Sequence, residues 1–492
     1  MAKREIKVRI YFSEIFDISG ATLEEHGAFD ISLINDLPLF VDPFLLFNSD
    51  REDFQALHKQ VIEYVKFLRI ESNRELLPDA QIAAWFTFPE VKQNWLGFSL
   101  RGNAGRGLGW DFARSLHANL MNVFKTFGDE VTTKGSHLEQ LCLIKNGIGR
   151  DNISDFTVNL IKHYLCLYTQ EFAAKYLKPA QVRRHAIPKS HFNFTTQSWA
   201  TKTYDLPTWN GDFVLLTPKA MLTKDETWIS RSDLINKAED IGTALPNAVL
   251  RQQVSRYFRQ NLKSDSKADE IKRVRSEAIE KFPEIIDEYI AIRESQSDEA
   301  TNASNEKVAE ALRLFISQIK KFVHLLNHET SFYETGWDSL AETRKRVEFL
   351  KDVIENKDGY RIFYSDGAPL ARENDLQILF RLTWFATTLD VNREPNNGRG
   401  PVDFSASRGA NDKALVEMKL ASNSKLKQNL LKQLEIYKTA NNTDKGLTVI
   451  LFFSTKEKNR VTNILKDIGR HGDRSIYLID ADKSNKPSGS LA

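Results

Sequence analysis

The chain has 492 residues, 41% of them hydrophobic and 27% charged, and a formal net charge of +2. That length requires two to four domains rather than one core, and the composition is that of a folded globular protein. Near-neutrality excludes a polycation that coats nucleic acid along its whole length.

The N-terminal segment alternates Ile6, Val8, Ile10 and Phe12 with charged residues, which predicts a half-buried strand. It lacks the apolar h-region of a signal peptide. Asp42 precedes Pro43 inside a dense apolar run and reads as a helix cap or a buried ligand. A helix follows from Arg51 to about Arg69. The glycine-rich stretch from Arg101 to Gly109 leads into another at Trp110. The phosphate-binding pattern Gly-x-x-x-x-Gly-Lys-Ser/Thr is absent, so the stretch reads as a flexible loop and no NTPase is indicated. Cys142 and Cys166 are the only cysteines and have no Cys-x-x-Cys or Cys/His cluster around them, which argues against structural zinc. Ser154 or Asp155 is positioned to cap a helix that buries Val158, Leu160, Ile161 and Leu165. Residues 180–230 read as loop-rich with short strands, notably Phe213–Leu216.

Residues 231–357 read as charged helices, interrupted by a polar linker or exposed loop at Ser295–Ser304. These helices offer a surface for homo-oligomerisation. His324 and His328 are spaced i, i+4, but no third metal ligand accompanies them. Three regions result: an α+β domain at 1–230, a largely helical middle at 231–357, and a mixed α/β domain at 358–492. No stretch approaches the roughly 20 apolar residues of a membrane span, and a soluble, cytoplasmic protein without a membrane partner is expected.

The last region carries the chemistry. Residues 371–492 hold 20 Lys and Arg against 14 Asp and Glu, a surplus of +6 that leaves −4 on the rest. Either solvated surface or a polyanionic partner accounts for this. From about Tyr360 the predicted order is helix, strand, strand, helix, strand, helix, strand. Asp403 follows Pro401-Val402 on the first strand. After thirteen residues, Glu417-Met418-Lys419 lies on the second. Strand alternation turns Glu417 and Lys419 to one face and Val416, Met418 and Leu420 to the core. If the two strands form a hairpin, Asp403 lies beside Glu417. Two close carboxylates repel each other unless a divalent cation joins them. Mg2+, or Mn2+ in its place, then lowers the pKa of a bound water and neutralises charge on a phosphate, while a lysine positions the water and steadies the transition state. Glu373, at the start of the preceding helix, offers a further acid, with Asp375 its rival. Gln433 and Tyr437 stand one turn apart on the following helix, and Arg408 lies in the basic turn.

These pieces (Glu373, Pro401-Val402-Asp403, Glu417-Met418-Lys419 and Gln433-x-x-x-Tyr437) resemble the PD-(D/E)XK nuclease superfamily over about a quarter of the chain. The resemblance implies a restriction-endonuclease-like αβββαβ-type core. It implies Mg2+-dependent hydrolysis of nucleic acid, with Asp403, Glu417 and Glu373 as metal ligands and Lys419 as the catalytic lysine. Gln433 would assist in the site, and Tyr437 and Arg408 would contact nucleic acid. The expected substrate is DNA, in restriction or antiviral defence. RNA, tRNA included, and a non-catalytic nucleic-acid-binding role are the alternatives.

Overall fold

The computed structural model describes residues 9–34, 36–74, 77–97, 108–122, 127, 133–143, 150–224, 227–263, 266–329, 338–365, 367–370, 372–383, 390–392, 404–407, 412–431 and 443–486. They form a helix-rich N-terminal region with a long hairpin, a helical middle and a C-terminal five-stranded sheet.

Ile10, Tyr11 and Phe12 are buried. Ile6 and Val8, which carry the expected strand, lie outside the described residues; beyond them Tyr11 forms one bridge, to Ser32. Phe12 instead opens a one-turn helix, α1 (Phe12–Ile15), because Glu14 folds back to accept the N–H groups of Ile10 and Tyr11 at 2.9 and 3.1 Å. Strand β1 (Leu39–Val41) is wholly buried and runs into α2 (Pro43–Phe47). Asp42 caps α2, its Oδ1 accepting from Phe44 N at 3.1 Å, with Pro43 at the first helical position. Its Oδ2 accepts from Trp228 N at 2.7 Å, so one carboxylate ties two distant segments together. Helix α3 (Glu52–Ser72) buries Phe54, Leu57, Val61, Val65 and Leu68 along one face.

The helix that Ser154 or Asp155 is expected to cap begins before both of them. It is α4 (Arg150–Leu160), followed by α5 (Lys162–Tyr176). Ser154 lies inside α4, and its hydroxyl accepts from Val41 N at 2.9 Å, fixing the end of β1. Burial, with Asp151 and Glu90 nearby, pushes the carboxyl of Asp155 up to about 8. A carboxyl that holds its proton when folded and loses it near pH 4 when unfolded stabilises the fold in acid. Its contribution is complete below about pH 4 and is lost as pH rises through about 8. Asp155→Asn is therefore expected to gain on the wild type by up to about 1.4 kcal/mol per pH unit across that window, and no further above it. Urea denaturation at pH 5, 7 and 9 tests this, and parallel wild-type and variant profiles would rule it out.

Residues 180–230, read as loop-rich, hold the longest strands. β2 (Val182–Asn193) and β3 (Ser198–Trp209) pair antiparallel from Val182↔Pro207 to Asn193↔Ser198. Pro188 lies within β2. The register shifts between Ile187 and His191, where Lys189 takes a φ of +48°, so an irregularity absorbs the proline and the ladder resumes. Of the strand expected at Phe213–Leu216, only β4 (Asp212–Phe213) is in a ladder. β5 (Leu222–Lys224) pairs antiparallel with β1, Leu39 opposite Lys224.

The middle comprises α6 (Arg231–Ala244), α7 (Ala248–Asn261), α8 (Ala268–Lys281), α9 (Glu284–Ser295) and α10 (Ser297–Ala311). A π-helical segment, Leu312–Gln318, joins α10 to α11 (Ile319–Glu329). The polar stretch expected as a linker is thus the beginning of α10. Asp298 and Glu299 suit a helix N-terminus, and Ala300, Ser304, Val308 and Ala311 form a buried stripe. Among the described residues no helix is long and apolar enough to cross a membrane.

The C-terminal sheet is preceded by α12 (Ser339–Asn356) and α13 (Glu373–Thr383). Its strands are β6 (Asp390–Asn392), β7 (Phe404–Ser407), β8 (Lys413–Leu420), β9 (Gly446–Phe452) and β10 (Ile476–Asp480), side by side in sequence order. β6, β7 and β8 run antiparallel; β8, β9 and β10 run parallel. The parallel crossovers contain helix, at residues 426–431 and in α14 (Thr455–Asp467). From α13 onward the order is α-β-β-β-α-β followed by α14 and β10, one strand (β6) more than expected. Val416, Met418, Leu420, Val449 and Leu451 join the main core, as do Val347 and Leu350 of α12. Ile450 and Phe452 pack on the other side with Leu426, Leu430, Val461 and Leu465. β9 is buried along its whole length, as its apolar run requires.

Candidate functional site

The β7–β8 hairpin needed to bring the two sequence motifs together is present, with Val416 opposite Phe404 and Lys413 opposite Ser407. On β8 the even-numbered residues Val416, Met418 and Leu420 enter the core. Glu417 and Lys419 take the alternate face, with Thr448 and Ile450 as their register partners on β9. They nevertheless remain buried, at 4% and 6% exposure. Charge held this far from water needs close partners, and the local geometry supplies them.

Lys419 Nζ lies 2.7 Å from Glu417 Oε1 and 2.9 Å from Glu373 Oε1. Glu373 arrives from the first turn of α13, whose buried Leu376, Leu379 and Phe380 seat the helix against the core. The side chain of Glu373 is 24% exposed, against 5% for Glu417 and 8% for Lys419. Solvent therefore meets the cluster at Glu373.

The rival acid, Asp375, is engaged elsewhere. Its Oδ2 lies 3.2 Å from Nζ of Lys224, on β5, which also stands 3.5 Å from Oε1 of Glu310 on α10. Burial raises the carboxyl of Asp375 above its ordinary range, and the Lys224 ammonium opposes that shift. Two residues apart on one helical turn, Glu373 and Asp375 thus serve different clusters, as helical geometry dictates for adjacent faces.

Sequence reasoning missed Asn423. Its Nδ2 donates to Glu373 Oε2 at 2.9 Å, while its Oδ1 accepts from Lys425 N at 2.8 Å. Arg460 of α14 donates to the carbonyls of Ala421 and Asn423, clamping the turn that follows β8. The Ala421-Ser422-Asn423-Ser424 sequence signals a turn, but nothing local in it points to a glutamate fifty residues earlier.

Asp403, Arg408, Gln433 and Tyr437 lie outside the described residues. The cluster that is described contains two carboxylates and one ammonium, so these three groups carry a surplus of one negative charge. Oxygen donors with surplus negative charge, opening to solvent at one end, fit a hard divalent cation such as Mg2+. Glu373 and Glu417 are the described residues that would hold it.

Two family models match the chain. Domain of unknown function DUF8370 covers residues 17–230, and domain of unknown function DUF8371 covers residues 339–455. The second match runs from the start of α12 through β9 and spans Glu373, Glu417, Lys419 and Asn423. No curated protein and no solved structure matches the chain.

Proposed function

We propose that this protein is a Mg2+-dependent nuclease that hydrolyses phosphodiester bonds in DNA, an endonuclease of restriction or antiviral defence with a restriction-endonuclease-like C-terminal domain. The observation that carries this reading is the convergence of Glu373, Glu417 and Lys419 in a mostly buried cluster assembled from a helix and a strand. A bound magnesium ion supplies an activated water and neutralises charge on the phosphate. The chain's own residues have separate tasks. Glu373 and Glu417 offer carboxylate oxygens from fixed backbone positions. Lys419, held by both, presents a preorganised ammonium where negative charge accumulates in the transition state. Asn423 holds the outer acid, Glu373, in one orientation. Asp403, Gln433, Tyr437 and Arg408 complete the set by resemblance, and Mn2+ is expected to substitute for Mg2+.

The N-terminal and middle regions serve target recognition, regulation or oligomerisation in this reading. The β2–β3 hairpin suits contact with a polyanion. Residues 177–204 contain five Lys and Arg and no Asp or Glu, and Arg183 and Arg184 are exposed on β2. A two-stranded ribbon of this kind fits a duplex groove.

The test is incubation of the full chain with supercoiled plasmid, linear DNA and total RNA, with magnesium, with manganese and with a chelator. Nicking or linearisation of DNA that requires the metal and disappears in Asp403→Ala is expected. Cleavage of RNA with DNA left intact would move the substrate class. No cleavage of either with any divalent metal would remove the nuclease reading in favour of a binding role.

A further inference from the structure

The start of α5 and the β2–β3 hairpin collect positive charge away from the Glu373–Lys419–Glu417 cluster. Lys162 and His163 open α5, Lys189 and His191 come from β2, and Lys202 from β3. Strand alternation places Lys202 and Tyr204 on one face of β3 and Asp205 on the other. Tyr204 is accordingly buried and Asp205 exposed. His163 Nδ1 lies 2.8 Å from the Tyr204 hydroxyl, and its Nε2 lies 3.5 Å from Lys202 Nζ. An ammonium can only donate, so Nε2 accepts and Nδ1–H donates to Tyr204. The His191 ring stands 5.1 Å from that of His163, edge to face.

This cluster lacks a counter-charge. Among the described residues, Lys162, Lys189 and Lys202 have no carboxylate partner. Lys189 Nζ is met by two neutral carbonyls, those of Ala84 and Thr87, each at 3.1 Å. Lys162 is only 4% exposed, and among the described residues its ammonium has neither a hydrogen bond nor an ion pair. Burial pulls that ammonium down to about 8, and Lys189 adds to the shift. Burial and Lys202 likewise hold His163 and His191 below the ordinary imidazole range. Nδ1 of His191 is buried without a partner. Glu171, the one acid of α5, bears on His26 and Tyr168 instead, on another face of the helix. A buried ammonium without a partner costs stability until an anion meets it.

Two features fit a long anion. His163, His191 and Lys202 are half-buried, so the cluster is open to solvent on their side while Lys162 stands deeper. The charge also continues along β2 to the exposed Arg184 and Arg183. Lys189 to Arg184 covers about 17 Å of strand, as long as roughly five nucleotide steps in one strand of a duplex.

We propose that this cluster seats a phosphate of the nucleic-acid backbone, with Lys162 and Lys202 as its cations and His191 as a further donor, and so docks the substrate on the N-terminal region. The identity of the anion rests on the nucleic-acid reading above; the uncompensated charge does not. The test is fluorescence anisotropy of a labelled DNA duplex with the full chain, in EDTA so that nothing is cut, over a series of NaCl concentrations. Lys202→Ala is expected to weaken binding roughly fivefold or more and to flatten the slope of log K against log salt by ~0.9, the value of one phosphate contact. Lys202→Arg should restore both. Lys162→Met should weaken binding comparably, yet resist urea at pH 7 better than the wild type, because it removes a buried charge that only the bound anion satisfies. Loss of binding through misfolding would lower that resistance instead. Lys175→Ala, at the far end of α5 and already 3.6 Å from Glu25, controls for general charge and should leave the slope nearly unchanged. A wild type that binds no duplex, or an equal loss in Lys175→Ala, overturns the site. Unaltered duplex affinity in Lys202→Ala and Lys162→Met overturns the backbone contact; if inorganic phosphate then binds calorimetrically in a Lys202-dependent way, the anion is a free phosphate. Cleavage that persists while these variants bind normally leaves the nuclease standing without this site. Binding that depends on Lys162 and Lys202, with no cleavage under any divalent metal, leaves the site standing and counts against the nuclease.

Discussion

Lys419→Ala is expected to lower Mg2+-dependent cleavage by a factor on the order of 10²–10³ or more, the usual effect of removing a preorganised group that meets developing charge. Nicking of supercoiled plasmid measures this directly. The variant should also lose stability, because Glu417 and Glu373 now face each other across the space the ammonium filled. Breaking a buried ion pair by deleting one partner costs about 3–5 kcal/mol, and the partial exposure of Glu373 places this case at or below the lower end. The same change makes a second outcome specific to a metal site. Two carboxylates left without their ammonium should value a divalent cation more, so millimolar magnesium should raise the Tm of Lys419→Ala by more than it raises that of the wild type. A purely structural salt bridge would lose the same stability and show no such dependence on magnesium. Undiminished nicking, or Tm values indifferent to magnesium in both proteins, would sink the assignment of these residues.

The parts of this site that follow from local rules were legible in the sequence. Strand alternation is a geometric rule, so Glu417 and Lys419 on one face and Val416, Met418 and Leu420 on the other followed from their order alone. The continuous apolar run of β9 likewise specified a strand covered on both sides. What was not legible depends on contacts distant in sequence. Asn423 reads as an ordinary turn residue until α13 is docked beside it. Nothing in the helix pattern alone separates Glu373 from Asp375 as decisively as Lys224, which reaches the latter from β5 about 150 residues earlier. Two errors came from composition. The polar residues of 295–304 suggested a linker, although Ala300 and Ser304 already set the stripe of α10. The other is the loop-rich reading of 180–230, where two twelve-residue strands lie and an irregular register accommodates Pro188.

Lys224→Met should be strongly destabilising. Lys224 is 1% exposed and lies between Asp375, itself 4% exposed, and Glu310. Deleting the ammonium strands a buried carboxylate, at a cost of about 3–5 kcal/mol. Replacing the pair together, as Lys224→Met with Asp375→Leu, removes both charges and is expected to recover most of that loss, because apolar residues of similar volume often substitute for a buried ion pair at little net cost. The pH dependence separates this mechanism from simple misfit of methionine. Burial already raises the carboxyl of Asp375, and Lys224 is the largest influence holding it down. Without the lysine the folded-state value rises further above the unfolded value near 4. An acid with a raised folded-state pKa contributes stability that is complete below its unfolded pKa and is lost as pH rises through the folded one. The single variant should therefore be least impaired near pH 4 and fall progressively behind the wild type toward neutral pH, whereas the double variant, which has no carboxyl at position 375, should lose nothing to that titration and hold or gain on the wild type as pH rises. Urea denaturation at pH 4, 5.5 and 7 distinguishes the two. A deficit in Lys224→Met that is the same at every pH would mean that packing, not the charge of Asp375, is what Lys224 supplies. Glu373 sits two residues from Asp375, so the single variant should also lose cleavage activity at neutral pH and the double variant should recover only the part that stability accounts for. The residual deficit would measure how far the buried lysine positions the acid of the proposed site.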